Sequence, residues 1–149
     1  MHVDSYGTLN EVLVNLFRDV LEIEEMSLAT SSFRDLTNND MHVIEAIGIE
    51  EPKNMSSIAK LLSVTVGTLT IAMNSLVKKG YVTRERGKDD RRVVYISLSE
   101  KGRAAYAHHA AFHREMIHSI SERLTKDELN ALTKALTCLN QWFREKEKS

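Results

Sequence analysis

Apolar residues recur at two different periods along this 149-residue chain, and the switch between them marks its organisation. Between residues 8 and 28, Leu9, Val12, Leu13, Leu16, Phe17, Val20, Leu21 and Leu28 fall largely at i, i+3, i+4 spacing, which predicts a helix with one apolar face. "ATSSFRDL" breaks that pattern. Thr37 stands three residues before Asp40, a capping-box spacing that opens a short second helix ending near Gly48. "EEPKN" reads as a loop, because Pro52 disfavours helix at Glu51. "MSSIAKLL" predicts a short helix capped by Ser56 or Ser57, with Ile58, Ala59 and Leu62 inward. "SVT" leaves room only for a tight turn. "VGTLTIAMNSLVKKG" predicts a longer helix, capped by Thr65, with Leu69, Met73, Leu76 and Val77 inward and Gly80 as its stop.

The period then changes to two. "YVTRER", a turn "GKDD" and "RRVVYISL" predict a hairpin, with Val94, Ile96 and Leu98 on one face and Arg84 and Arg86 alternating outward. Ser99 opens a long helix to about residue 121, and Thr125 with Glu128 repeats the capping-box spacing for a last helix. That helix carries two neighbouring apolar stripes: Leu129, Leu132, Leu136, Leu139 and Phe143, and beside them Ala131, Ala135, Cys138 and Trp142. So wide an apolar face exceeds what a surface helix needs against its own domain. The fold class is therefore mainly α, a helix-turn-helix followed by a two-stranded β hairpin. Residues 1–36 and 104–149 form an all-helical dimerisation region made from both termini, and 37–103 a separate unit. The first and last helices of two chains are expected to pack together as a homodimer.

Composition adds a charge asymmetry that the overall net charge of −1 hides. Residues 1–53 carry a net −8, residues 54–103 a net +6 and residues 104–149 a net +1. A basic middle of this kind fits nucleic acid, although a solvated surface has the same composition. No apolar run approaches the roughly 18 residues of a membrane span, and no secretory signal is visible at the N-terminus. Cys138 is the lone cysteine, which suits a reducing cytoplasm.

In a helix-turn-helix the second helix enters the major groove of DNA. The side opposite Leu69, Met73 and Leu76 holds Gly67, Thr68, Ile71, Asn74 and Lys78, with Thr70 on its flank and Thr65 at the cap. Small residues permit close approach, a threonine methyl can touch a thymine methyl, and Asn74 could bond an adenine edge. Lys78 and Ser57 suit phosphates, Ser57 with help from a helix N-terminus. A hairpin after such a helix is a wing, and Arg91 or Arg92 at its tip could enter the minor groove, where negative potential is enhanced.

The stretch from Met55 to Arg103 resembles the winged helix of the MarR family of bacterial transcription regulators. That family ends its recognition helix in L-x-x-K-G-[LYF]-[IV], here Leu76, Lys79, Gly80, Tyr81 and Val82. It continues with D-x-R and L-T/S-x-x-G, here Asp90, Arg92, Leu98, Ser99 and Gly102. The resemblance implies a homodimeric repressor reading a palindromic operator, with Arg92 in the minor groove and Asp90 orienting it. "VTVGTLT", "MNSLVKKGY", "DMHVIEAIG" and "HHAAFH" are similar to the branch that represses fatty-acid biosynthesis genes in Gram-positive bacteria. That branch implies an acyl group on acyl carrier protein as corepressor and no cofactor.

His109 and His113 stand at i, i+4, a spacing that can hold zinc, and His42 could complete a site with Glu24 or Glu25. The alternative, that these histidines line a junction and bind no metal, is favoured by the absence of a cysteine nearby in sequence. An apolar effector would need a crevice, for which Leu13, Leu16, Phe17, Val20, Ile44, Ile47, Phe112 and Met116, with His109 and His113, are candidates on facing helices. A hydrolase built on the histidines lacks a nucleophile-bearing loop, a glycine-rich phosphate loop and an acid–base pair.

Overall fold

The computed structural model describes residues 2–147. Met1, Lys148 and Ser149, the ends of the predicted dimerisation segments, lie outside them. The chain runs α1 (His2–Ala29), α2 (Asn38–Ile47), β1 (Lys53–Asn54), α3 (Met55–Leu62), α4 (Val66–Lys79), β2 (Val82–Arg86), β3 (Val94–Leu98), α5 (Glu100–Arg123) and α6 (Lys126–Glu147). It forms two compact units, the first ending at His109 and the second beginning at Ala110. α1 belongs to the first, and α5 runs through the division.

Helix starts follow the capping chemistry. Thr37 Oγ1 accepts the Asp40 N–H at 3.0 Å while Asp40 Oδ2 accepts the Thr37 N–H at 3.0 Å, a complete capping box for α2. Thr125 and Glu128 build the same box for α6, at 2.9 and 3.2 Å. The Thr37 and Thr125 boxes satisfy donors that a helix start leaves orphaned. α1 starts well before the predicted residue 8, since residues 2–7 contain no proline to stop it.

Two features around residues 53–57 differ from the sequence reading. The predicted loop contains a two-residue strand, so the sheet has three antiparallel strands in the order β1-β3-β2 and not two. Lys53 pairs with Ile96 and Asn54 with Tyr95, which covers the outer edge of β3. Pro52 favours this, because it has already excluded helix from the preceding residue. The cap of α3 is Asn54 and neither Ser56 nor Ser57: Asn54 Oδ1 accepts the Ser57 N–H at 2.8 Å.

The core of the first unit closes over α2, α3, α4 and the sheet. Ile44, Ile58, Met73, Leu76, Tyr81 and Ile96 have no exposure, and Met41, Ile47 and Leu69 almost none. Each large aliphatic side chain buried this way stabilises the fold by about 1.5–3 kcal/mol. Elsewhere the apolar faces are open. Leu9, Val12, Leu16, Phe17 and Leu21 of α1 are exposed, and so are Leu132, Leu136, Leu139, Trp142 and Phe143 of α6. Among the described residues no single helix is long and apolar enough to cross a membrane.

Candidate nucleic-acid interface

α3 and α4 meet at 106°, within the range of a helix-turn-helix. Ser63 makes the turn in the left-handed conformation (φ 56°), its N–H bonded back to Lys60 O at 3.2 Å. Thr65 Oγ1 then caps α4 by accepting the Thr68 N–H at 3.1 Å. Leu69, Met73 and Leu76 face the core, which turns Gly67, Thr68, Thr70, Ile71, Asn74 and Lys78 outward; all six are exposed, Ile71 at 76%. Ser57 lies exposed in the first turn of α3, its own N–H consumed by the Asn54 cap.

Two threonine hydroxyls at the N-terminal end of α4 already donate within the chain. Thr65 Oγ1 donates to Thr68 Oγ1 at 3.0 Å, and Thr70 Oγ1 donates to Val66 O at 2.8 Å. Asn74 Oδ1 accepts a hydrogen bond from Arg84 Nη1 at 2.7 Å. These bonds orient the polar groups of α4 in the absence of DNA.

The wing consists of β2, β3 and a tight tip. Gly87 N–H donates to Val93 O at 2.8 Å and Val93 N–H to Asp90 O at 3.2 Å. A Cβ at Gly87 would sit 2.6 Å from Asp90 O, so the tip closes this tightly only on glycine. Arg91 and Arg92 lie in the tip itself, before β3 begins, and both are exposed. Asp90 grips Arg92 three times: Oδ1 accepts from its N–H at 3.0 Å and from Nε at 3.1 Å, and Oδ2 accepts from Nη2 at 3.2 Å. The Arg92 guanidinium, and then its N–H, hold the Asp90 carboxyl below the usual carboxylate range. So exposed a pair adds little stability. Its effect is to present the guanidinium in one orientation.

The arginines of β2 depart from expectation. Register places Arg84 opposite Ile96 and Arg86 opposite Val94. Directly opposed residues share a face, so these arginines are on the side turned toward the helices and not the outer one. They stay exposed because the strand extends past the core, and Arg84 reaches Asn74 on α4. The outer face carries Thr83 and Ser97, bonded to each other at 2.9 Å.

A polar junction behind α4 joins residues of the two family motifs to each other and to Asp35, a partner the sequence does not point to. The buried Tyr81 donates its hydroxyl to Asp35 Oδ1 at 2.5 Å. Lys79 Nζ donates to Asp35 O at 2.7 Å and Asp40 Oδ2 at 3.1 Å, tying the end of α4 to the start of α2. Ser99 Oγ donates to Gly80 O at 2.6 Å and accepts the Gly102 N–H at 3.1 Å. A Cβ at Gly102 would stand 2.0 Å from Tyr81 O, so α5 approaches α4's end this closely only through glycine. The L-S-x-x-G motif thus anchors α5 to the end of α4.

Among the described residues no three His, Cys, Asp or Glu side chains are grouped to hold a metal ion. His109, buried, stands 3.5 Å from Glu45 Oε2, and His108 Nε2 lies 3.2 Å from Ser27 Oγ. His42 is exposed on α2. Of the crevice candidates, Ile44 and Ile47 are sealed in the core; Leu13 and Val20 are half-buried; Leu16 and Phe17 are open. Phe112, His113 and Met116 are half-buried in the second unit.

The family model for MarR matches residues 36–94. A solved structure of Streptococcus pneumoniae FabT in complex with DNA is 38% identical, covers 94% of this chain and 98% of that one, and superposes with a TM-score of 0.89. The chain belongs to the MarR family. The MarR match contains the whole helix-turn-helix, Arg84, Arg86, Asp90 and Arg92. Among curated relatives, the regulator YhjH of Bacillus subtilis is 26% identical over 72% of this chain. The regulator SarZ of Staphylococcus saprophyticus is 44% identical over 46% of it. The chain spans 63% of the length of YhjH and 47% of that of SarZ. These relatives carry the names of transcription regulators, not of enzymes.

Proposed function

We propose that the chain is a DNA-binding transcription repressor that grips a palindromic operator as a homodimer. The observation that carries this reading is the union, in one compact unit, of an exposed polar α4 face with an Arg92 pre-oriented by Asp90. α4 would enter the major groove with Gly67, Thr68, Thr70 and Asn74, while Lys78, Ser57 and Arg91 meet phosphates. Arg92 would enter the minor groove beside it. Residues 37–103 act as the reading unit. Residues 1–36 and 104–149 pair two copies, a role supported by the exposed apolar faces of α1 and α6. FabT, described in complex with DNA, supports the DNA half of the reading.

The regulated genes, in this reading, are those of fatty-acid biosynthesis, and the corepressor is an acyl group on acyl carrier protein. Support comes from the sequence resemblance to the fatty-acid branch and from the likeness to FabT.

Gel shifts on fatty-acid biosynthesis promoters, with and without acyl-loaded carrier protein, test the proposal. Retardation that tightens with the acylated carrier and weakens steeply with salt is the expected result. Retardation indifferent to the acylated carrier would remove the corepressor; no retardation would remove the gene assignment.

A further inference from the structure

We propose that Arg84 is a positioning residue for Asn74, and that the pair makes Asn74 read a hydrogen-bond acceptor on a base edge, guanine or thymine, instead of adenine. This rests on the DNA-binding reading above. A guanidinium carries only donors, so the Asn74 atom it meets at 2.7 Å is Oδ1. That settles the direction of an amide whose two ends are otherwise interchangeable. The Nδ2 group, with two donors, is turned away from Arg84.

Reading adenine in two-point fashion needs Asn74 to accept from N6 with Oδ1 while Nδ2 donates to N7. Here one lone pair of Oδ1 already accepts a charge-assisted bond, roughly twice as strong as a neutral one. The second lone pair of Oδ1 stays open, but a guanidinium at 2.7 Å puts positive charge and further donors beside it, which favours acceptors on the base edge over the adenine N6 donor. Nδ2 can donate without any rearrangement, and guanine O6 and N7 and thymine O4 are the major-groove acceptors that answer it without requiring an acceptor in return.

The rest of the face agrees. Thr70 is exposed and has given its hydroxyl proton to Val66 O, which leaves its methyl as the group it can offer a base. Ile71, the most exposed apolar residue of α4, adds further methyls. Both suit contact with a thymine methyl. Arg84 can serve in this way only because β2 is registered with Arg84 opposite Ile96, on the helix side of the sheet.

The test is selection from a randomised duplex library by the full chain and by the variants Asn74→Ala, Arg84→Ala, Arg84→Lys and the Asn74→Ala/Arg84→Ala pair. Both side chains are exposed, and matched thermal melts would confirm that the variants are folded. The unmodified chain should enrich guanine or thymine at one position per half-site, and Asn74→Ala should erase that preference. Arg84→Ala should reduce it at that same position by roughly threefold to tenfold, the worth of one hydrogen bond. Arg84→Lys should retain part of it, and the double variant should discriminate no worse than Asn74→Ala alone. Adenine at the Asn74-dependent position would overturn the inference. So would an Arg84→Ala variant that binds all sequences more weakly with a salt slope reduced by about one, the mark of a phosphate contact. No enrichment by the unmodified chain would overturn the DNA-binding reading itself.

Discussion

The winged-helix body and the terminal helices use the same apolar residue types in opposite ways. In the body, Ile44, Ile58, Met73, Leu76 and Ile96 are fully enclosed by neighbours from the same chain. In α6, no residue is buried, although Leu132, Leu136, Leu139, Trp142 and Phe143 line it at helical spacing. α1 resembles α6 along most of its length and the body only at Leu28, which is buried. A helix whose apolar face stays open gains little stability from its own chain, since most helical stability comes from packing that face. The body's core is complete within one chain, whereas α1 and α6 offer surface of the kind that a second copy buries.

The difference can be broken from the body's side first. Met73→Ala should cost about 2–5 kcal/mol through the lost side chain and the cavity it leaves. Thermal unfolding should show that loss at every protein concentration. The complementary change, Leu136→Asp with Leu139→Asp, should leave the body folded while weakening self-association by on the order of 2 kcal/mol or more. Sedimentation equilibrium would read the latter, and an unchanged oligomeric state would remove α6 from the interface. Arg92→Ala separates reading from folding: operator affinity should fall by about 1–3 kcal/mol with the melting temperature unchanged.

The smallest effect belongs to the Tyr81 junction. Tyr81→Phe should cost about 0.5–1.5 kcal/mol at neutral pH, one hydrogen bond. The Tyr81 hydroxyl holds the Asp35 carboxyl below its ordinary 3.8, so that contribution is present above pH 3.8 and lost as pH falls through the lowered value. Burial, and then Asp35, pushes the Tyr81 hydroxyl above its ordinary 10.0, so its contribution is complete below pH 10.0 and lost as pH rises through the raised value. The melting-temperature gap between the native chain and Tyr81→Phe should be flat between these limits and narrow at both ends.

What the sequence reveals is what is local. Thr37 with Asp40, Thr65, Gly80, and Thr125 with Glu128 mark helix ends through residues three or four apart, and all do so in the structure. The burial of Leu69, Met73 and Leu76 follows from one helical period. The unread features depend on partners far along the chain. β1 exists because Lys53 and Asn54 meet Ile96 and Tyr95, and two residues have no periodicity of their own. Tyr81 meets Asp35 across 46 positions. The sequence alone does not fix the sheet face of Arg84 and Arg86, because β2 has a single apolar residue, Val82, to set its orientation, and pairing with β3 decides the rest. The Asn74–Arg84 bond follows from that same register.

Sedimentation velocity of the full chain with a fluorescent duplex enriched from a random library bears most directly on the two-copy, DNA-reading account. Two chains should travel with each duplex, and the free chain should sediment as a dimer. A single chain per duplex, or a monomer that binds DNA unchanged, would contradict the role given to the open faces of α1 and α6.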